Sequence, residues 1–263
     1  MKEFLEVALK AAELGGEVLL RHLGKLTEHD AVEKRRYDFV TFVDMESERT
    51  IKDFIKSKFP DHKFLAEESG GEEVTDKPLW IIDPLDGTKN YLHAFPHFGI
   101  SIALKIEGEV RVGVIHDPLK KDMFWAVKGE GAFYNGRRTY IIDVEDIGHS
   151  LVATGFPFRA KDMLDTYLRA FRQIFLKAAG VRRAGSAALD LAYVAAGIFQ
   201  GFFEFGLAIW DIAAGALIVR EAGGIVSDFL GGQKFLETGN IIAGTPNIYP
   251  FILEVVSKTF GQP

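Results

Sequence analysis

The sequence feature that most limits the possible folds is a short apolar run followed by two acids and a proline. The run is of the kind that forms β-strands. Residues 80–82 (Trp-Ile-Ile) favour the β conformation and are typical of the end of a buried strand. We expect that strand to stop at Asp83, because Pro84 fixes φ and donates no hydrogen bond to a sheet. Asp83 and Asp86 then lie three residues apart on a tight turn.

Two carboxylates held this close repel each other unless a cation lies between them. Gly87 allows a close backbone approach to a ligand, and Thr88 offers a hydroxyl. If residues 87–93 turn helical, free amides at the start of that helix face the same place. The turn therefore predicts a hard-cation site beside a phosphate cradle. A plain surface turn with two solvated acids is the alternative, since Asp, Pro and Gly are ordinary turn residues.

Composition limits the chemistry and the partners of this site. The 263 residues are 48% hydrophobic and carry a formal net charge of −6, which is typical of a globular protein without a polyanion-binding surface. We therefore expect no direct contact with nucleic acid. The chain has no cysteine, so any metal must use oxygen or histidine ligands. No signal-peptide pattern and no uninterrupted apolar span occur, so we expect a cytoplasmic protein without a membrane segment.

Hydrophobic periodicity divides the chain into two kinds of structure. Helices are predicted over residues 2–24 and 44–58, with a polar loop or irregular hairpin between them. Strand-like runs separated by turns then form an antiparallel meander that reaches residue 140. Beyond it strands and helices alternate, as in a layered α/β arrangement. We predict an α+β fold with lobes of residues 1–145 and 146–263 that form one catalytic unit.

Three further acids occupy predicted element ends, where side chains converge on clefts. Glu67 follows a short strand and neighbours Asp83 if the two strands share a sheet; the alternative is a solvated acidic loop. Asp44 lies three residues after Thr41, which is the pattern of a capping box at a helix start. Asp211 suits an N-cap, but an acid within an apolar segment must also be paired, hydrogen-bonded or metal-bound. Each acid thus has a structural and a functional interpretation.

Five motifs in order along the chain resemble those of the inositol monophosphatase family of magnesium-dependent, lithium-sensitive sugar-phosphate phosphatases. They are Thr41-x-x-Asp44, Ala66-Glu67-Glu68-Ser69, Asp83-Pro84-Leu85-Asp86-Gly87-Thr88, Gly185-Ser186-Ala187-Ala188, and Trp210-Asp211 within a run that continues to Gly224. The similarity spans nearly the whole chain. It implies a layered αβαβα sandwich and, in most members, a homodimer.

The resemblance also assigns roles to residues. Ligands of two Mg²⁺ ions are implied for Glu67, Asp83, Asp86, Asp211 and the Leu85 carbonyl, with Asp44 supporting a third, weaker ion. Catalytic roles in activating water are implied for Glu67, Thr88 and Asp44. Substrate contacts are implied for Asp86, Gly87, Thr88, Gly185, Ala187, Glu204 and Asp211. Ala208 and Lys89 depart from the family pattern, and both departures concern the identity of the substrate.

The implied function is hydrolysis of inositol monophosphate to inositol and phosphate by metal-activated water. One alternative is a dual enzyme that also accepts fructose 1,6-bisphosphate, in which Arg172, Arg182 or Arg183 would contact a second phosphate rather than serve as surface charges. Nucleotide 3′-phosphatases share the same metal set. A regulatory protein on the same scaffold, contacting transcription machinery, is the alternative of another class. The polar segment Glu33 to Asp38 is a candidate lid or an ordinary exposed loop. His93 and His97 are interpreted as structural, because imidazole suits magnesium poorly.

Overall fold

Helices and sheets alternate in layers through this protein, for which a computed structural model describes residues 1–26, 31–35, 38–71, 76–156 and 161–261. The helices of these residues are α1 (Lys2–His22), α2 (Phe42–Lys58), α3 (Thr88–Leu92), α4 (Leu164–Phe175), α5 (Ala187–Ala195), α6 (Ile209–Glu221), α7 (Phe235–Thr238) and α8 (Tyr249–Phe260). The strands are β1 (Ala31–Arg35), β2 (Asp38–Thr41), β3 (Lys63–Ala66), β4 (Gly70–Gly71), β5 (Leu79–Asp86), β6 (Gly99–Ile106), β7 (Glu109–Asp117), β8 (Asp122–Val127), β9 (Gly131–Tyr134), β10 (Arg137–Thr139), β11 (Leu151–Thr154), β12 (Gly180–Arg182), β13 (Gly201–Glu204), β14 (Ile225–Ser227) and β15 (Ile241–Gly244).

The larger sheet has eight strands in the order β10-β9-β8-β7-β6-β5-β3-β4. Strands β5 to β10 pair with their chain neighbours in antiparallel fashion, which confirms the predicted meander. Strand β3 joins this sheet parallel to β5, with Ala66 opposite Ile82. The carboxyl ends of β3 and β5 therefore lie side by side.

The smaller sheet has five strands in the order β12-β11-β13-β15-β14. Strand β11 is parallel to both β12 and β13, and Thr154 lies opposite Phe203. Strands β13, β15 and β14 pair in antiparallel fashion. The alternation of strands and helices after residue 140 thus produces a mixed sheet.

Three apolar clusters hold five layers together. The first cluster packs α1 and α2 on one face of the large sheet, through residues that include Leu19, Ile51, Trp80 and Ile100. The central cluster packs α5 and α6 between the two sheets, through residues that include Ile81, Phe124, Leu189, Phe202 and Ile218. The outer cluster packs α4 and α8 on the far face of the small sheet, through residues that include Tyr167, Phe203, Ile242 and Ile252. This order of layers is the expected αβαβα sandwich. Since the central cluster draws on both sheets, the division at residue 145 stays a prediction.

The predicted end of strand β5 at Asp83 is wrong. Asp83 pairs with Ser101, and Asp86 pairs again with Gly99, so one extra residue is accommodated as a β-bulge. Pro84 falls in the unpaired part of this bulge, where its missing N–H costs no ladder hydrogen bond. The bulge keeps Asp86 in the sheet, close to Asp83.

Strands β1 and β2 form an antiparallel hairpin whose register shifts between Glu33 and Arg35. Of the two predicted possibilities, a polar loop and an irregular hairpin, the structure has the hairpin. The candidate lid at residues 33–38 spans this hairpin, but residues 36–37 lie outside the described residues, so the lid stays a prediction. Among the described helices, none is both long and apolar enough to cross a membrane.

Candidate active site

The neighbouring parallel strands β3 and β5 position the first two acids of the site, Glu67 and Asp83. The Glu67 amide donates to the Ile82 carbonyl over 3.1 Å, so Glu67 continues the β3–β5 pairing by one residue. Glu67 therefore lies beside Asp83, as the shared-sheet interpretation predicts. Asp83 is buried, with an exposed fraction of 1%, and its Oδ1 accepts a hydrogen bond from the Leu85 amide over 2.9 Å.

Helix α6 brings the third acid from the other half of the chain. A Cβ on Gly113 of β7 would lie 2.8 Å from the Ala214 carbonyl oxygen, so α6 rests on the large sheet at a position that only glycine allows. The Ser101 hydroxyl also donates to the Trp210 carbonyl over 2.9 Å. The two contacts hold the N-terminal half of α6, which carries Asp211, against strands β6 and β7.

The interpretation of Asp211 as the N-cap of this helix is wrong. The helix begins earlier, with Ala208 as its N-cap, and Asp211 is the third residue of its first turn. From there Oδ2 of Asp211 accepts a hydrogen bond from the Ala208 amide over 2.8 Å. Ile209 and Trp210 pack against the central cluster, and the helix accordingly begins before Asp211, the start that capping preference alone indicates.

Glu67, Asp83 and Asp211 form an acidic trio, with one carboxylate oxygen from each lying within 4.8 Å of the other two. Burial first, and then the charges of Glu67, Asp86 and Asp211, hold the pKa of Asp83 well above its ordinary value. Such mutual repulsion is relieved by a cation placed among the acids. Carboxylate oxygens are the ligands that Mg²⁺ prefers, so the donor set fits that ion.

Asp86 is held beside the trio by the start of helix α5. Its Oδ2 accepts hydrogen bonds from the Ser186 hydroxyl over 2.6 Å and from the Ala188 amide over 2.7 Å. Ser186 is also the N-cap of α5, where its hydroxyl accepts from the Leu189 amide. Gly185 just before it has φ +94°, a conformation that favours glycine. That Ser186 holds Asp86 was not predicted from the sequence, although a serine that suits the N-cap of a helix was a signal for it.

Thr88 connects the turn to the start of helix α2. Its hydroxyl lies 3.2 Å from Oδ1 of Asp44 and 3.1 Å from the Leu85 carbonyl oxygen, and its single proton serves one of the two acceptors at a time. Oδ2 of Asp44 accepts from the amide and the hydroxyl of Thr41, at 2.8 and 2.6 Å. The predicted capping box is confirmed, and it leaves Oδ1 of Asp44 facing Thr88.

Gly87 starts the predicted helix after the turn, with φ +98° at the N-cap of α3. A Cβ there would lie 3.1 Å from the His97 carbonyl oxygen and 3.3 Å from that of Gly185. Asn90 ties the same segments together, because its Nδ2 donates to the carbonyls of His97 and Ala184 over 2.7 and 2.9 Å. The backbone around Gly87 is thus fixed from two sides.

Comparisons with known proteins agree with this geometry. The inositol monophosphatase family matches residues 1–259. The chain belongs to the inositol monophosphatase family. A protein named Nus factor SuhB from Escherichia coli strain K12 is 46% identical over 254 residues, which cover 96% of this chain and 95% of that protein. The crystal structure of extragenic suppressor protein suhB from Bartonella henselae has a TM-score of 0.92 at 39% identity, covering 97% of this chain and 99% of that one. An inositol monophosphatase from Anabaena (Nostoc) sp. PCC 7120 has a TM-score of 0.87 at 37% identity, covering 98% and 96%.

The family is magnesium-dependent, and the acidic trio is the matching feature in this member. Three positions to which the resemblance assigns sugar contacts lie at the ends of elements in the second half of the chain. Gly185 and Ala187 frame the start of α5, and Glu204 ends strand β13 with an exposed fraction of 8%. Ala208, the departure from the family pattern, caps α6.

The three arginines lie in different places. Arg172 is exposed on α4 in the outer layer. Arg182 is exposed at the end of β12 and lines a pocket of about 270 Å³ with Phe95 and Tyr193. Arg183 stacks its guanidinium over the Phe156 ring at 5.9 Å, and a Cβ on Gly185 would lie 2.6 Å from its Nη1. Of the three, Arg183 adjoins the candidate site.

His97 packs behind the site rather than among the acids. Burial first, and then the charge of Lys120, lowers the pKa of His97 to about 4, so its ring is neutral at pH 7. Its Nε2 lies 4.0 Å from Oδ1 of the buried Asp190 on α5, and neither atom has a hydrogen-bond partner in the described part of the chain. These contacts agree with the structural interpretation of His97.

Proposed function

We propose that this protein hydrolyses inositol monophosphate to inositol and phosphate in the presence of Mg²⁺. The observation that carries the proposal is the acidic trio, in which Asp83 and Asp211 are buried and Glu67 is half-buried. Burial and then the neighbouring negative charges raise the pKa of Asp83, and the carboxylate oxygens of the trio suit a hard cation. Membership of the inositol monophosphatase family supports the same reaction. The leaving group is then a polyol, and the reaction is a phosphoryl transfer to water.

Two Mg²⁺ ions would be held by the carboxylates of Glu67, Asp83, Asp86 and Asp211 and by the Leu85 carbonyl, with Asp44 supporting a third. When bound, the ions supply neutralisation of the phosphate charge and a lower pKa for the attacking water. Phosphoryl transfer needs mainly positioning and charge stabilisation, so no covalent nucleophile is required from the chain. The amides of Gly87 and Thr88 would bind the phosphate oxygens, and Gly185, Ala187 and Glu204 the sugar.

Thr88 and Asp44 would orient the attacking water. When the Thr88 hydroxyl donates to Oδ1 of Asp44, its oxygen lone pairs accept a hydrogen bond from water. The two donors from Thr41 both bond to Oδ2 of Asp44, which leaves Oδ1 to face Thr88. Glu67, at the end of β3, would be the nearest base for the water proton.

A charge-removing substitution at Asp86 tests the proposal. Asp86→Asn retains an oxygen that accepts from Ser186 and Ala188, so the fold persists, but the variant loses a ligand charge. We expect magnesium-dependent phosphate release from inositol 1-phosphate to fall at least about 100-fold. Asp53→Asn, at an exposed position of α2, is the matched control and should retain full activity. Near-normal turnover by folded Asp86→Asn would refute the assignment.

A regulatory role is the second candidate, because relatives 46% identical to this chain are named Nus factor SuhB. Such a role uses a protein surface rather than hydrolysis, so it would survive Asp86→Asn. Complementation of an Escherichia coli strain that lacks its SuhB separates the two. Rescue by both the wild type and Asp86→Asn would support regulation without catalysis, and rescue by the wild type alone would support a role for hydrolysis.

Three finer properties follow from the resemblance and are proposed with the reaction. Inhibition by lithium in the phosphate-release assay would support a family-like metal site. Sedimentation at twice the monomer mass would support a homodimer. The position of Arg183 beside Gly185 supports the dual-specificity alternative, since an exposed guanidinium there is placed to meet a second phosphate. A location in the cytoplasm and the absence of direct nucleic-acid binding stay predictions.

A further inference from the structure

The side chain of Glu204 lies directly against the backbone of Gly155. A Cβ built on Gly155 would overlap the carboxylate carbon and both carboxylate oxygens of Glu204. Strands β11 and β13 run parallel with Thr154 opposite Phe203, so the residues that follow them, Gly155 and Glu204, are neighbours across the sheet. The Thr154 hydroxyl donates to the Phe203 carbonyl over 2.8 Å and fixes this register.

The Glu204 carboxylate can therefore occupy its position only because residue 155 has no side chain. Glu204 is buried, so a side chain at residue 155 would force its carboxylate elsewhere within a packed region rather than into open solvent. Burial first, and then the charges of Glu204 and Asp86, hold the pKa of Asp190 above its ordinary value. The charges of Glu204 and of Asp86, which lies beside the acidic trio, thus both act on the buried Asp190.

We propose that Gly155 is a specificity-determining position for this enzyme. Its missing side chain lets the Glu204 carboxylate lie where it accepts hydrogen bonds from hydroxyls of the departing polyol. Gly155 touches no substrate itself; it acts through Glu204. This inference rests on the proposed function, in which Glu204 faces the sugar. It adds that selectivity for leaving groups with hydroxyls depends on the absence of a side chain at residue 155.

Gly155→Ala tests the inference, and we expect the variant to fold with some loss of stability. The backbone of Gly155 lies outside the left-handed region, so alanine adopts it, and the clash involves only the far end of a flexible side chain. We expect kcat/KM for inositol 1-phosphate to fall about 10- to 100-fold, which is the effect of losing hydrogen bonds to a charged group. The competitive inhibition constant of inorganic phosphate, which has no leaving group to recognise, should change by less than about threefold.

Gly201→Ala is the matched control. Gly201 lies on the same strand as Glu204, and its added Cβ would overlap the Cδ1 end of Ile252, a flexible side chain in the outer cluster away from the acids. Both variants are therefore expected to lose some stability, but only Gly155→Ala should raise the KM for inositol 1-phosphate. Equal kinetic losses in the two variants would mean a general packing effect and would overturn the inference.

Glu204→Ala separates this inference from the proposed function. If Glu204→Ala binds inositol 1-phosphate normally, Glu204 does not face the sugar and that part of the proposed function fails. If Glu204→Ala is impaired and Gly155→Ala is normal, only the inference about Gly155 fails. We expect the double variant to lose no more than Glu204→Ala alone, because the two changes remove one interaction. A crystal structure of Gly155→Ala should show a displaced Glu204 carboxylate, and an unmoved one would overturn the inference even in an inactive protein.

Discussion

Removing one charge from the acidic trio should stabilise the metal-free protein and greatly weaken its stabilisation by magnesium. Asp83→Asn is the sharpest version, because Asp83 is buried and its pKa is raised by burial and by the charges of its neighbours. The amide retains an oxygen for the hydrogen bond from the Leu85 amide. Fold contacts are thus preserved, and only the charge changes.

The separation within the trio sets the magnitude. Two ionised carboxylates 4.8 Å apart, the upper limit of the separations within the trio, repel by about 3.5 kcal/mol at an effective dielectric constant of about 20. Partial protonation of Asp83 relieves some of this repulsion. We therefore expect Asp83→Asn to raise the free energy of unfolding, measured without metal, by about 1–3 kcal/mol. That corresponds to about 2–4 °C in Tm per kcal/mol for a chain of this size.

The pH dependence has a definite sign. Because the folded pKa of Asp83 lies above its unfolded value of 3.8, its contribution to stability is fully present below pH 3.8 and is lost as pH rises through the folded pKa. The advantage of Asp83→Asn over the wild type should therefore grow from acidic to neutral pH. Urea unfolding in a chelator at several pH values measures this.

The same samples test the metal response. Added Mg²⁺ should raise the Tm of the wild type by mass action and raise that of Asp83→Asn far less. Asp53→Asn, an exposed change on α2, should match the wild type in both conditions. A metal-free Asp83→Asn protein less stable than the wild type, or equal stabilisation of both by Mg²⁺, would refute the reasoning.

Two further predictions concern Thr88 and His97. Thr88→Val keeps the side-chain shape but removes the hydroxyl that faces Asp44, so kcat should fall about 10²- to 10⁴-fold while Thr88→Ser stays within about tenfold of the wild type; equal losses would exclude a role for the hydroxyl. The folded pKa of His97, about 4, lies below its ordinary 6.5, so the unfolded chain binds more protons in between and stability is lost as pH falls through that window. From pH 7 to pH 5 this amounts to about 2 kcal/mol, against an opposite contribution from Asp190, whose pKa is raised. Urea unfolding of His97→Gln should show a smaller loss over that range, and an unchanged loss would contradict the assignment.

The order of elements and the acidic motifs could be read from the sequence because they depend on local patterns. Hydrophobic periodicity located α1 and α2, and turn residues located the meander of β6 to β10. The sequence also allowed Glu67 to neighbour Asp83 on the condition that their strands share a sheet, and the parallel pairing of β3 with β5 meets that condition.

Features that depend on distant partners could not be read in this way. Pro84 predicts a strand end by local rules, whereas the bulge depends on the pairing of Asp86 with Gly99 of β6. Capping preference favours Asp211 as a helix start, whereas packing of α6 on β7 extends the helix to Ile209. The contact of Gly155 with Glu204 needs the register of β11 and β13, which no local pattern encodes.

Substrate preference tests the central claim most directly. Phosphate release by the wild type should be measured with Mg²⁺ on inositol 1-phosphate and on fructose 1,6-bisphosphate at matched concentrations. The proposed function predicts a clear preference of the wild type for inositol 1-phosphate, and little phosphate release from either substrate by Asp86→Asn. Equal or faster release from the bisphosphate would contradict a preference for inositol monophosphate, favour the dual-specificity alternative and direct attention to Arg183. Release from neither would contradict the phosphatase activity itself.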